Sequence, residues 1–257
     1  MRWNRTGLLG GLLLLGASCG ASWADDLADS CAVPPDLALV NYPADHVYAR
    51  LKARDPLRIL VVGSTSSMGS SSWASKGLAT AFKAYPRLLE EALAERMPRI
   101  RAIVIDKTAA RQTAPMVAAQ LDGLLAQNKP DLVIWEAGTT DAVQRLDVTV
   151  FGDALSDGLR RLRDHGVDVF LVDIQYSPQT DSLYDFRPYL DYLLEVAEAQ
   201  DANILRRYAV MRHYTEEGRF DPGAPGTAEQ FRSASFVHGC LAKQLATMIL
   251  TAAQQQP

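Results

Sequence analysis

The strongest constraint on the fold is a strict alternation of two kinds of apolar pattern. Arg58 to Val62, Ile103 to Ile105, Asp131 to Trp135 and Val167 to Val172 are short runs of β-branched and large apolar residues without polar alternation. That is how strands buried on both faces read. A fifth, weaker run spans Ile204 to Met211. Between the runs the apolar spacing changes to three and four, as on a helix face. Leu88, Leu89, Ala92 and Leu93 mark one such stripe, and Phe151, Leu155, Leu159 and Leu162 a second. Phe186, Tyr189, Leu190, Leu193 and Leu194 mark a third, and Cys240, Leu241, Leu245 and Ile249 close the chain. Strand and helix in regular alternation predict a parallel sheet covered on both faces by helices.

The first two dozen residues stand outside this pattern. Arg2 and Arg5 form a basic end, Gly7 to Gly16 is an apolar run, and Ser22-Trp23-Ala24 offers small residues at a signal-peptidase spacing. The expectation is a signal peptide over residues 1–24, a folded domain over 25–257, and export to the periplasm or beyond. The apolar run is far short of the roughly 20 residues that span a bilayer, so no integral membrane segment is expected after cleavage. Cys19 offers a lipoprotein alternative, although Gly16 stands where such a site wants a branched apolar residue.

Losing Arg2 and Arg5 makes a chain with formal charge -4 more acidic still, and no basic stripe exists for nucleic acid. Cys31 and Cys240 survive cleavage. In an oxidising compartment they are expected to bridge, closing a loop of about 210 residues for a few kcal/mol of stabilisation. Two free buried thiols are the alternative. No histidine and carboxylate cluster has metal-ligand spacing, and no cofactor is implied.

In parallel sheets the ligand lies beyond the C-terminal strand ends. After the first strand comes Gly63-Ser64-Thr65-Ser66-Ser67-Met68-Gly69, continued by a serine-rich stretch past Trp73 to a helix at Tyr85. A connection this long suggests a binding loop, although serine runs also make plain flexible loops. After the third strand comes Gly138-Thr139-Thr140-Asp141, and after the fourth Asp173-Ile174-Gln175-Tyr176.

With Arg206-Arg-Tyr-Ala-Val-Met-Arg-His213 and Gly239-Cys-Leu-Ala-Lys243, these blocks make the chain resemble the SGNH (GDSL-type) hydrolases over nearly its whole mature length. The resemblance implies a flavodoxin-like three-layer α/β sandwich with a five-stranded parallel sheet. It also implies an esterase acting on a small-molecule ester, with a glycan or acyl group as ligand. The family's serine nucleophile falls on Thr65, whose extra methyl restricts its rotamer, with Ser64 and Ser66 on either side. Its oxyanion glycine falls near Arg111, where a backbone amide survives the substitution. Its asparagine donor falls on Thr140, its histidine base on Arg232, and the orienting aspartate on Glu229.

A guanidinium stays protonated and cannot take a proton from a hydroxyl, so Arg232 is the decisive departure. Glu229 and Arg232 suggest an ion pair instead. His213, read as the end of the fifth strand, is a weak alternative base. His238 is expected to point elsewhere, and His46 and His165 read as surface residues. Gly63, Arg111, Asp173 and Gln175 are candidates to line a substrate site, with strand-end capping as the plainer role for Asp173 and Gln175. Trp73, Tyr176 and Tyr184 suit either a sugar or acyl site or loop anchoring. Two functions remain open: an ester hydrolase with a rebuilt site, or a catalytically silent relative that binds a glycan, an acyl ligand or a protein partner in the same cleft.

Overall fold

The computed structural model describes residues 30–64, 77 and 81–255. The chain parts into a unit of residues 1–32, of which only the turn at Ser30–Ala32 is described, and a unit of residues 33–257 that holds the whole sheet. Cys31 and Cys240 are disulfide-bonded.

After a short 3-10 turn at Pro35–Leu37, the order is α1 (Asp45–Ala53), β1 (Leu57–Gly63), α2 (Tyr85–Arg96), β2 (Ala102–Asp106), α3 (Ala114–Asn128), β3 (Leu132–Glu136) and α4 (Thr139–Val143). Then come α5 (Val148–Asp164), β4 (Asp168–Val172), α6 (Pro178–Leu183), α7 (Arg187–Ala199), β5 (Asn203–Leu205), α8 (Arg207–Glu216) and α9 (Thr227–Ala252). Proline opens α2, α3, α6 and α7, where its missing N–H costs nothing.

All strand pairs are parallel, in the order β2-β1-β3-β4-β5. The central strands are the most buried, which is why they read as unbroken apolar runs. Leu60, Val62, Val133, Trp135 and Leu171 face a core shared with Leu121 of α3, Phe151, Leu155 and Leu159 of α5, and Leu193 of α7. Their alternates Ile59, Val61, Leu132, Ile134 and Phe170 point to the opposite face and are fully buried there. Helices α2 and α9 pack against each other, and α2 lies on β2. The expected three-layer parallel sandwich is therefore present. No described helix is long and apolar enough to cross a membrane.

One element differs from the sequence reading. Ile204–Met211 is not a continuous strand: β5 ends at Leu205, and Arg207 begins a helix. That helix has no capping side chain at its own start. Its first amides are held from another strand end, where Asp173 Oδ1 accepts from Tyr208 N at 2.8 Å. A start signal 35 residues away leaves no local trace.

Candidate active site

The C-terminal sheet edge is shaped first by Gly63. Its φ is +122°, and a Cβ there would lie 2.1 Å from the carbonyl oxygen of Glu136, its register partner on β3. Only glycine lets the two strand ends approach this closely. Ser64 then makes one further parallel bridge with Ala109, beyond the end of β2. Thr65, Ser66 and Trp73 lie outside the described residues.

On β3 the chain turns at Gly138, with φ +96°, where a Cβ would meet Ile174 at 2.8 Å. Asp141 fixes this turn from within. Its Oδ1 accepts from Ala114 N at 2.7 Å and its Oδ2 from Gly138 N at 3.1 Å, joining the strand end to the start of α3. Burial holds the Asp141 carboxyl above the usual carboxylate range, with the amides partly opposing.

This turn delivers two hydroxyls. Thr140 Oγ1 donates to Ser64 Oγ at 2.6 Å, so the site's two central blocks meet. A threonine hydroxyl has one proton. Directed at Ser64, it is not aimed at an oxyanion as an asparagine amide would be, while Ser64 keeps its own proton to donate. Beside it, Thr139 Oγ1 accepts from Gln175 N at 3.0 Å and ties the end of β4 into the same edge. Gln175 thus contributes its backbone, and Asp173 is the buried cap of α8. Desolvation raises the Asp173 carboxyl to about 7 despite the bonded amides and nearby arginines.

Arg111 is exposed, with φ +62°. This left-handed backbone is one that glycine favours.

Arg232 and Glu229 form the expected ion pair, at 3.0 Å, with side chains 68% and 51% exposed. Arg232 is thus engaged on the helix surface. The histidines need separate account, because a Ser-type mechanism requires a base with a free ring nitrogen. His213 does not end a strand; it lies inside α8, with Nε2 accepting from Arg219 at 2.9 Å, since a guanidinium only donates. His238 is buried in α9, and its Nδ1 accepts from Tyr85 N at 3.0 Å. Taking up a proton at Nδ1 would break that bond. His46 and His165 are exposed at the opposite, N-terminal edge of the sheet, beside Asp131 and Val167. These are all four histidines of the chain.

Beneath Gly63 lies a network that the sequence reading did not find. Glu136 Oε2 accepts from Arg207 at 2.6 Å and Oε1 from the Tyr85 hydroxyl at 2.9 Å, all three side chains being buried. Burial raises the Glu136 carboxyl, while Arg207 and Tyr85 pull it back. The available signal was a glutamate closing the apolar run Leu132–Trp135, where an acid must find a partner.

The family model of the non-GDSL lipase-like family matches residues 30–255. The chain belongs to that family. Over 113 residues it is 31% identical to an arylesterase of Vibrio mimicus. That match covers 42% of this chain and 56% of the relative, so the chain spans little more than half the relative's length. Among solved structures, a mutant of Axe2, an acetyl-xylooligosaccharide esterase of Geobacillus stearothermophilus, superimposes with TM-score 0.59 at 15% identity, covering 75% of this chain and 94% of the other. The psychrotrophic esterase EstA of a Pseudoalteromonas species gives 0.56 at 15% identity, covering 75% and 98%. At such identities these two structures speak for the fold, which is that of the SGNH/GDSL-type hydrolases.

Proposed function

We propose that this family member handles a small acyl ester at the C-terminal edge of its sheet, using a hydroxyl of the Ser64-Thr65-Ser66 block as nucleophile. The observation that carries this reading is the Ser64–Thr140 hydrogen bond, which brings the nucleophile block and the donor block together as an acyl-transfer site requires. The left-handed backbone at Arg111 supports an oxyanion amide there. Asp173, Gln175 and Gly63 act as scaffold in this reading, while Arg232 and Glu229 take no part in proton transfer. The ligand is an ester with a glycan or acyl portion. Export belongs to the same proposal: a leader of residues 1–24 is removed, leaving 25–257, and the oxidised state of Cys31 and Cys240 supports an oxidising compartment.

A second reading is favoured by one observation, the engagement of His213 and His238 and the remoteness of His46 and His165. Under it the cleft binds the same ligand class without hydrolysis. Turnover of p-nitrophenyl acetate by the mature protein, with Ser64→Ala, Thr65→Ala and Ser66→Ala beside it, separates the two. Slow turnover, lost in one variant by about 10²-fold or more, is expected for the hydrolase. Wild type and all variants matching the buffer blank would leave the binding reading.

A further inference from the structure

Helix α6, which follows β4, buries none of its residues, and Leu183 at its end is 62% exposed. It borders a cleft of about 700 Å³ that also takes in Tyr184, Phe186, Leu190 and Tyr208. The rings form one array. Tyr176 stands edge-on to Tyr208 at 5.1 Å between centroids, Tyr208 to Phe186 at 6.3 Å, and Phe186 meets Tyr184 at 6.1 Å. The array adjoins the ester site through the Gln175–Thr139 hydrogen bond, with Tyr176 next to Gln175 and Thr140 next to Thr139.

The ionisable groups around the cleft select its ligand. Two acids, Asp181 and Asp185, are matched by two bases, Arg187 and Arg212. An ionic ligand of either sign would meet groups of its own sign there. An alkyl chain filling the cleft would take water from these charged groups and give them no hydrogen bonds in return. Part of this polar set is already bonded: the Tyr208 hydroxyl donates to Asp181, and Arg212 pairs with Glu216 at 2.7 Å. The Arg187 guanidinium has no protein partner among the described residues. A ligand with apolar ring faces and uncharged hydroxyls matches the half-exposed rings of Tyr184 and Tyr208, which buried Phe186 backs, and the remaining donors and acceptors.

We propose that this cleft binds a neutral oligosaccharide, the glycan portion of a substrate whose ester bond lies at Ser64 and Thr140. The location of the bond rests on the hydrolase reading above; the binding of sugar does not. Titration of the mature protein with xylohexaose, cellohexaose and chitohexaose, and with decanoate for comparison, tests it by calorimetry and saturation-transfer NMR. At least one hexasaccharide is expected to bind. Tyr184→Ala should weaken it about tenfold and Arg187→Ala severalfold; Arg187 is exposed, while Tyr184 is half-buried and packs on the core, so the Tyr184 variant is first shown to keep the urea stability of the wild type. Decanoate binding in place of the sugars, no binding of any hexasaccharide, or affinities unchanged in both variants would overturn the proposal. Run beside the p-nitrophenyl acetate assay, the two failures stay distinct: sugar binding without turnover removes only hydrolysis, and turnover without sugar binding removes only the glycan cleft.

Discussion

At the scale of single residues, the site depends on Gly63. Its positive φ and the missing Cβ are both used, because the Glu136 carbonyl occupies the space a side chain would need. Gly63→Ala therefore combines backbone strain with a backbone clash, and is expected to cost about 2–5 kcal/mol by urea denaturation. A loss under about 1 kcal/mol would mean that the strand ends separate readily. The glycine was legible in the sequence as the head of the first block; the bond from Thr140 to Ser64 was not, because the resemblance set the neighbouring Thr65 at the nucleophile position. Asp141 stood in the same motif, but its work of accepting two backbone amides 27 and 3 residues away leaves no periodic pattern. His213 was misplaced for a related reason: a histidine's surroundings follow from the element that carries it, and that element was misread.

At the scale of elements, the four longer strands were legible because parallel strands buried on both faces show as unbroken β-branched runs. Helix α8 was not, because Tyr208, Val210 and Met211 extend the apolar run of β5 while the helix start is supplied by Asp173. Its first residue, Arg207, joins it to β3 through Glu136, and both side chains are only 5% exposed. Arg207 Nε finds no partner among the described residues, so this pair is imperfectly satisfied. Removing one member leaves a buried charge: Arg207→Met is expected to cost about 3–5 kcal/mol. Adding Glu136→Leu should recover part of that loss, giving a double-mutant coupling of roughly 1–3 kcal/mol. Strictly additive effects would show that the pair does not hold α8 to the sheet.

At the scale of the whole molecule, one half-buried and one buried carboxyl at strand ends hold helices to the sheet at both edges. Asp168 Oδ2 accepts from Val47 N at 2.9 Å in the first turn of α1, and Asp173 does the same for α8 at the opposite edge. Desolvation raises Asp168 to about 6 and Asp173 to about 7 from an ordinary 3.8. The native state therefore keeps protons that the unfolded chain has released. The contribution of such groups is complete below about pH 4 and is lost as pH rises through 6 and 7, because stability falls wherever the native state binds more protons. Other acids in this acidic chain also titrate, so the expectation is a difference between proteins. Between pH 4 and 7.5 the urea stability of the wild type should decline relative to Asp173→Asn, which cannot ionise, with most of the change centred between pH 5 and 7. Parallel pH profiles for the two proteins would show that Asp173 reaches water in the folded state, and with it that the joint between β4 and α8 is open to solvent.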